Sequence, residues 1–203
     1  MGLFILIAGL VLFIALHVFV TQREARARLI ARIGEGPYKG IFSLLSIIGA
    51  VLIAVGFSRY RASGWIDIWD PPLWTRYVAT PLMWLAFVCV AAAYFQGRIK
   101  ATLKHPMLIG VKLWAIAHLA ANGDLGSIVL FGSLLLWAGY DRYSLKRRPA
   151  SEIPSVAVPI SGSARSNDLV AVLIGTIIFL AFGYVFHPLW IGVPVFGTPA
   201  LGT

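Results

Sequence analysis

The stretch Gly2–Val20, GLFILIAGLVLFIALHVFV, contains no charged side chain. A bilayer core is crossed by about 20 consecutive apolar residues in an α-helix, so this run predicts a membrane span. Five further runs follow, Ile41–Phe57, Tyr77–Phe95, Pro106–Ala121, Leu125–Tyr140 and Leu169–Trp190, uncharged apart from Lys112. In a chain of 203 residues that is 59% apolar and 12% charged, they predict an all-α, polytopic transmembrane helix bundle of about six spans. The fourth and fifth runs hold only about 16 residues each, at the short end of a span. They are joined by Ala121-Asn122-Gly123-Asp124, turn formers that allow a sharp reversal. A pair of short helices that does not fully cross is the alternative for that region.

The distribution of basic residues predicts orientation, because short loops rich in Lys and Arg stay in the cytoplasm. Thirteen of the 17 lie after the first, third and fifth runs: Arg23, Arg26, Arg28, Arg32, Lys39, Arg98, Lys100, Lys104, Arg142, Lys146, Arg147, Arg148 and Arg165. Only Arg59, Arg61 and Arg76 occupy the opposite loops. Six spans with both termini outside satisfy this bias, and the formal charge of +9 then needs no nucleic-acid partner. The lipid bilayer is the expected partner, with anionic headgroups beside the basic loops.

The organisation expected is a membrane domain over residues 1–145, a cytoplasmic linker over 146–168 rich in proline and serine, and a last span with its tail over 169–203. The first run lacks a basic leading region and reads as a retained anchor rather than a cleaved signal. The loop Arg59–Trp74, RYRASGWIDIWDPPLW, has three tryptophans suited to the headgroup boundary and reads as an interfacial cap. Ser46, Ala50 and Ala54 recur every four residues and predict a face for close helix approach. The single cysteine, Cys89, excludes an internal disulfide and reads as a buried thiol.

Ionisable groups at membrane depth are costly, which makes His17, His105, His118, His187 and Lys112 functional candidates. One reading of each histidine is an imidazole satisfied locally by a carbonyl, hydroxyl or water. The other is axial ligation of haem b, since paired imidazoles from facing helices hold an iron porphyrin in many bundles. Thirteen residues separate His105 from His118, about 220 degrees around and roughly 20 Å along one helix, so they cannot share one iron. Counted from the run centres, His17 lies about 9 Å toward the cytoplasm and His118 roughly 7 Å toward the outside. By depth, His17 matches His105 and His118 matches His187.

The element His105-Pro106-Met107, with Gly110, Trp114, His118, the Ala121-Asn122-Gly123-Asp124 turn and His17 on the first span, resembles the NnrU family of bacterial membrane proteins over roughly residues 1–145. That resemblance implies a multi-pass protein of the bacterial inner membrane, associated with nitric oxide and denitrification metabolism and with respiratory membrane complexes as partners. A related plant and cyanobacterial enzyme, 15-cis-zeta-carotene isomerase, uses haem b on a polyene double bond. Its likeness implies an isomerase acting on an apolar small-molecule substrate. Carried over residue by residue, His17 and His118 match the proposed axial ligands and His105 matches a further histidine. Trp114, one turn from His118, would line the substrate slot. Ala115 stands where the isomerase has a cysteine, so the resemblance does not carry over a thiolate that could exchange with imidazole. The pairs His17 with His105 and His118 with His187 stay open beside His17 with His118.

A structural membrane module without cofactor is the third reading, with Lys112 paired to Asp124 or to a carbonyl. Hydrolytic chemistry is not expected: the chain has no GxSxG elbow, no HExxH and no glycine-rich phosphate loop.

Overall fold

In lipid every backbone N–H and C=O must be satisfied within its own segment, and a run of apolar residues achieves this only by coiling. The computed structural model, which describes residues 1–147 and 163–196, places all six apolar runs in helices. In order they are α1 (Gly2–Thr21), α2 (Arg23–Ile33), α3 (Glu35–Ala62), α4 (Trp74–Ala92), α5 (Arg98–Leu103), α6 (Pro106–Ala121), α7 (Leu125–Lys146) and α8 (Ala164–Ala181), the last continuing as a π-helix over Phe182–Ile191. No β-strand lies among the described residues.

Four of these are long and apolar enough to cross a membrane: α1, α3, α4, and α8 with its π-helical extension, Ala164–Ile191. Helix α6, with 16 residues, is shorter. Helix α7 has 22 residues, but its last turns carry Asp141, Arg142 and Lys146. The basic stretch after α1 is itself helical. Its Arg, Ala, Leu and Glu side chains favour the coil, and Gly34 at φ 86° ends it. Most of the expected 146–168 linker, and the tail after Phe196, lie outside the described residues. Helix α8 already begins at Ala164, ahead of the Leu169 boundary read from hydropathy.

The chain divides into two units, one formed by Met1–Pro71 with Asn122–Ser144, the other by Pro72–Ala121 with the described residues from Leu145 onward. In the first unit α1 and α3 run antiparallel in close backbone contact. A Cβ added at Gly9 would lie 2.7 Å from the Ile53 nitrogen, and one at Gly49 would lie 3.1 Å from Phe13 Cβ. At Gly56 the added carbon would overlap the Leu6 backbone, and at Gly2 that of Tyr60. Glycines seven residues apart on each helix therefore set the approach. The expected Ser46–Ala50–Ala54 face is corrected by one step around the helix: Ala50 and Ala54 are exposed, while Gly49, Gly56 and Tyr60 are buried. Glycine admits a neighbouring backbone where even alanine's methyl does not. Helix α7 joins this pair through Phe131 against Phe57, with centroids 6.5 Å apart, and through Gly126 beneath the Tyr60 ring.

In the second unit α4 is the shared partner. Gly110 of α6 sits against Ala86 and Val90, and Gly175 of α8 against the backbone of Val88. Cys89 is a buried free thiol on α4. Asp168 near the start of α8 accepts the backbone N–H groups of Arg98 and Ile99 at 3.1 and 3.0 Å. It thus satisfies two donors at the open end of α5. Lys100 donates to the Ala93 carbonyl at 2.8 Å, placing a cation on the carbonyl end of α4.

Overpacking a close helix contact costs about 1–3 kcal/mol, so Gly56→Ala is expected to lower thermal stability in detergent. Gly40 on the same helix has nothing within 4 Å of an added Cβ. Gly40→Ala is expected to leave stability unchanged or raise it by up to about 1 kcal/mol through helix propensity. Equal losses in the two variants, measured by thermal unfolding, would contradict the packing account.

Candidate functional site

Helix α1 delivers His17 to an aromatic setting in the first unit. Its Nδ1–H donates to the carbonyl of Phe13, one turn back, at 2.7 Å. Its ring stacks on Phe13 with centroids 4.1 Å apart and planes at 25°, and meets Phe42 of α3 at 5.3 Å and Trp137 of α7, edge-on, at 5.4 Å. The carbonyl bond fixes the tautomer, so Nε2 carries the lone pair. That is the arrangement a metal-ligating histidine adopts, and equally the local satisfaction open to any histidine in an apolar helix.

Four polar side-chain atoms in this unit are buried without a hydrogen-bond partner among the described residues: Arg26 Nε, Tyr38 Oη, Ser46 Oγ and Trp137 Nε1. Sequence reading missed them, because each of these residue types is ordinary where it stands. The available signal was the spacing Tyr38, Phe42, Ser46, Gly49, which falls along one face of α3.

In the second unit His118 repeats the pattern of His17. Its Nδ1–H donates to the Trp114 carbonyl at 2.8 Å, and the Trp114 ring lies 5.2 Å from its own. His187 sits in the π-helical stretch, where Pro188 lacks the N–H that would continue an α-helix. Its Nδ1–H donates to the Val193 carbonyl at 2.7 Å, beyond the left-handed turn at Gly192. Around the π-helix, Phe87 meets Phe182 at 5.5 Å and Phe179 at 6.3 Å, while Phe182 meets Phe186 at 5.5 Å. π-helical turns often accompany functional sites.

His105 differs from the other three. It lies between α5 and α6, where Lys104 adopts φ 62°, and its carbonyl accepts the N–H of Ile109 at 3.3 Å. Pro106 follows as the first residue of α6, a position where its missing N–H costs nothing. The His-Pro pair is thus a helix start. Lys112, half-buried in mid-α6, has no hydrogen bond or ion pair among the described residues. Asp124 is engaged elsewhere: its carboxylate accepts the N–H of Ser127 at 2.9 Å and the Ser127 hydroxyl at 2.6 Å, capping α7.

The Asn122-Gly123-Asp124 turn is also stitched to the tryptophan-rich loop. The N–H groups of Ile68 and Trp69 donate to the Gly123 carbonyl at 3.0 and 3.2 Å, and Leu125 N–H donates to the Ile66 carbonyl at 2.8 Å. A side chain at Gly123 would overlap the Trp69 carbonyl. No group of three or more His, Cys, Asp or Glu that could hold a metal ion occurs among the described residues.

The family profile described as NnrU protein matches residues 5–195. The chain belongs to the NnrU family. The match continues past residue 145, where the sequence resemblance stopped, and takes in the last membrane helix. In this NnrU family member the histidine on that helix, His187, therefore lies inside the matched region. No curated protein and no solved structure matches the chain.

Loss of an N-cap typically costs about 0.5–2 kcal/mol. Asp124→Ala is expected to destabilise the protein by that amount, and Asp124→Asn, which keeps a capping oxygen, by less. Thermal unfolding of the two variants in one detergent checks the order; a larger loss for the asparagine variant would show that Asp124 does something other than cap α7.

Proposed function

We propose that this NnrU family membrane protein holds a b-type haem between histidine side chains and serves nitric oxide metabolism at the bacterial inner membrane. The observation that carries the reading is the common geometry of His17, His118 and His187. Each gives Nδ1–H to a backbone carbonyl, which orients the ring and makes Nε2 the nitrogen that would ligate an iron. A haem iron takes four ligands from the porphyrin, so two imidazoles complete it.

The pair favoured is His118 with His187, which share one unit. Sequence depth matches the same two. His17 with His118, the pair implied by resemblance to the carotene isomerase, is the alternative, as is His17 with His105. His105 begins a helix at the polar border, which fits a capping role better.

When bound, haem would supply an iron that exchanges electrons or takes a diatomic ligand. The chain's own part is to bury that centre, hold the rings in one tautomer and keep water away with apolar walls. Trp114 beside His118 and the Phe87–Phe179–Phe182 array offer such walls. The same array favours a second reading, a polyene substrate lying against aromatic rings, as in a carotenoid isomerase.

The decisive measurement is an absorption spectrum of the purified full-length protein, oxidised and reduced. A Soret band is expected, with its loss or shift in His118→Ala and in His187→Ala and its retention in His105→Ala. Retention in His187→Ala with loss in His17→Ala would move the ligand pair to His17 with His118. A colourless preparation from haem-replete cells would overturn the proposal. Added cis-carotenoid that isomerises only with the reduced protein would select the second reading.

A further inference from the structure

Past the π-helix the chain turns back on itself. Gly192 takes the left-handed conformation at φ 77°, and its N–H donates to the Pro188 carbonyl at 3.0 Å, the bond that closes a helix in a left-handed cap. Pro194 follows, exposed and without the N–H that a continued helix would need. The returning residues then meet the helix at two points. Val193 gives its carbonyl to His187 Nδ1–H at 2.7 Å, and Phe196 packs its ring over Gly183, where any side chain would overlap it. The same ring lies 4.4 Å from the Tyr184 ring and 5.5 Å, edge-on, from that of Phe179. Gly183 and His187 are about one turn of this helix apart. Val193 and Phe196 meet them in reverse order, as an antiparallel return requires.

The two contacts depend on each other. A lone hydrogen bond to a carbonyl on an untethered segment contributes little once the entropy of ordering that segment is counted. A packed aromatic ring contributes more, and fixing Phe196 three residues from Val193 removes much of that entropy cost. An imidazole has two neutral tautomers, and a partner for Nδ1–H selects the one with Nε2 free. His17 and His118 find their carbonyl partners one turn back on their own helices, at Phe13 and Trp114. His187 instead takes its partner from beyond the end of its helix. Its orientation therefore depends on where that segment is held.

We infer that residues 192–196 form a clasp that fixes the His187 ring, and that Phe196, seated in the notch left by Gly183, is its positioning residue. Phe196 acts through Val193, whose carbonyl it holds in place. The clasp stands on these contacts alone; only its use, presenting Nε2 to an iron, rests on the haem reading proposed above.

The test uses the full-length protein in lipid nanodiscs. Gly183→Ala, whose methyl meets the Phe196 ring, is expected to lower the unfolding temperature by a few degrees, and to lower it no further in a Phe196→Ala background. Where Nε2 carries no iron, nitrogen NMR spectra of the histidines report the tautomer, with the His187 signal identified by its loss in His187→Gln. Wild-type protein and Phe196→Leu are expected to hold the Nδ1–H form and Phe196→Ala to populate both forms, while His17 and His118 do not change. If the protein carries haem and His187→Ala alters the Soret band, Phe196→Ala is expected to alter it in the same direction and Phe196→Leu to restore it. Additive losses in the Gly183–Phe196 pair overturn the clasp. So does a His187 ring that keeps one tautomer in Phe196→Ala, or a Soret band that responds to His187→Ala and not to Phe196→Ala. A Soret band unmoved by His187→Ala overturns the ligand pair instead and leaves the clasp to be read from the nitrogen spectra.

Discussion

The close approach of α1 to α3 is the constraint on which the first unit depends. Gly2, Gly9, Gly49 and Gly56 remove the side-chain layer between two backbones, and dispersion and short-range packing then hold the pair. In a bilayer this matters more than apolar area, because lipid tails offer a leucine as good a neighbour as another helix does. His17 is wedged between Phe13, Phe42 and Trp137, and Tyr38 is carried beneath Arg26.

The second unit uses the same device with α4 as the common surface. Gly110 and Gly175 bring α6 and α8 onto it, and small buried residues, Ala91, Ala92 and Ala171, fill the contact. Trp84 Nε1–H donates to Thr176 Oγ1 at 2.9 Å across the same junction, while that hydroxyl donates to the Val172 carbonyl at 2.7 Å. The candidate histidines of this unit stand toward the ends of its helices. His118 lies in the last turn of α6, and His187 in a stretch whose hydrogen-bond register is widened at a proline.

Much of the grammar of the polar turns has a structural purpose. His105-Pro106 starts α6, Asp124 caps α7, and Gly123 lets the loop backbone at Trp69 approach. The resemblance that pointed to the NnrU family was thus carried partly by turn chemistry, and His118 with its carbonyl bond to Trp114 is the part that bears on the proposed ligation. An aspartate already committed to Ser127 is poorly suited to neutralise Lys112, which weakens the account of that lysine as half of a structural pair.

The sequence by itself determined that this chain is helical and built for a membrane, since long uncharged runs have one way to satisfy their backbones in lipid. It also marked the histidines, because their rarity in such runs shows in composition alone. It did not reveal which small residues make contact: an alanine stripe and a glycine stripe one step apart look alike until a second backbone arrives. Nor could it identify the buried, unpartnered atoms of Arg26, Tyr38, Ser46 and Trp137. They come from three helices, and whether a donor finds an acceptor depends on distances between helices that no local pattern encodes. Only the tertiary structure decided that each of these atoms is buried without a partner among the described residues.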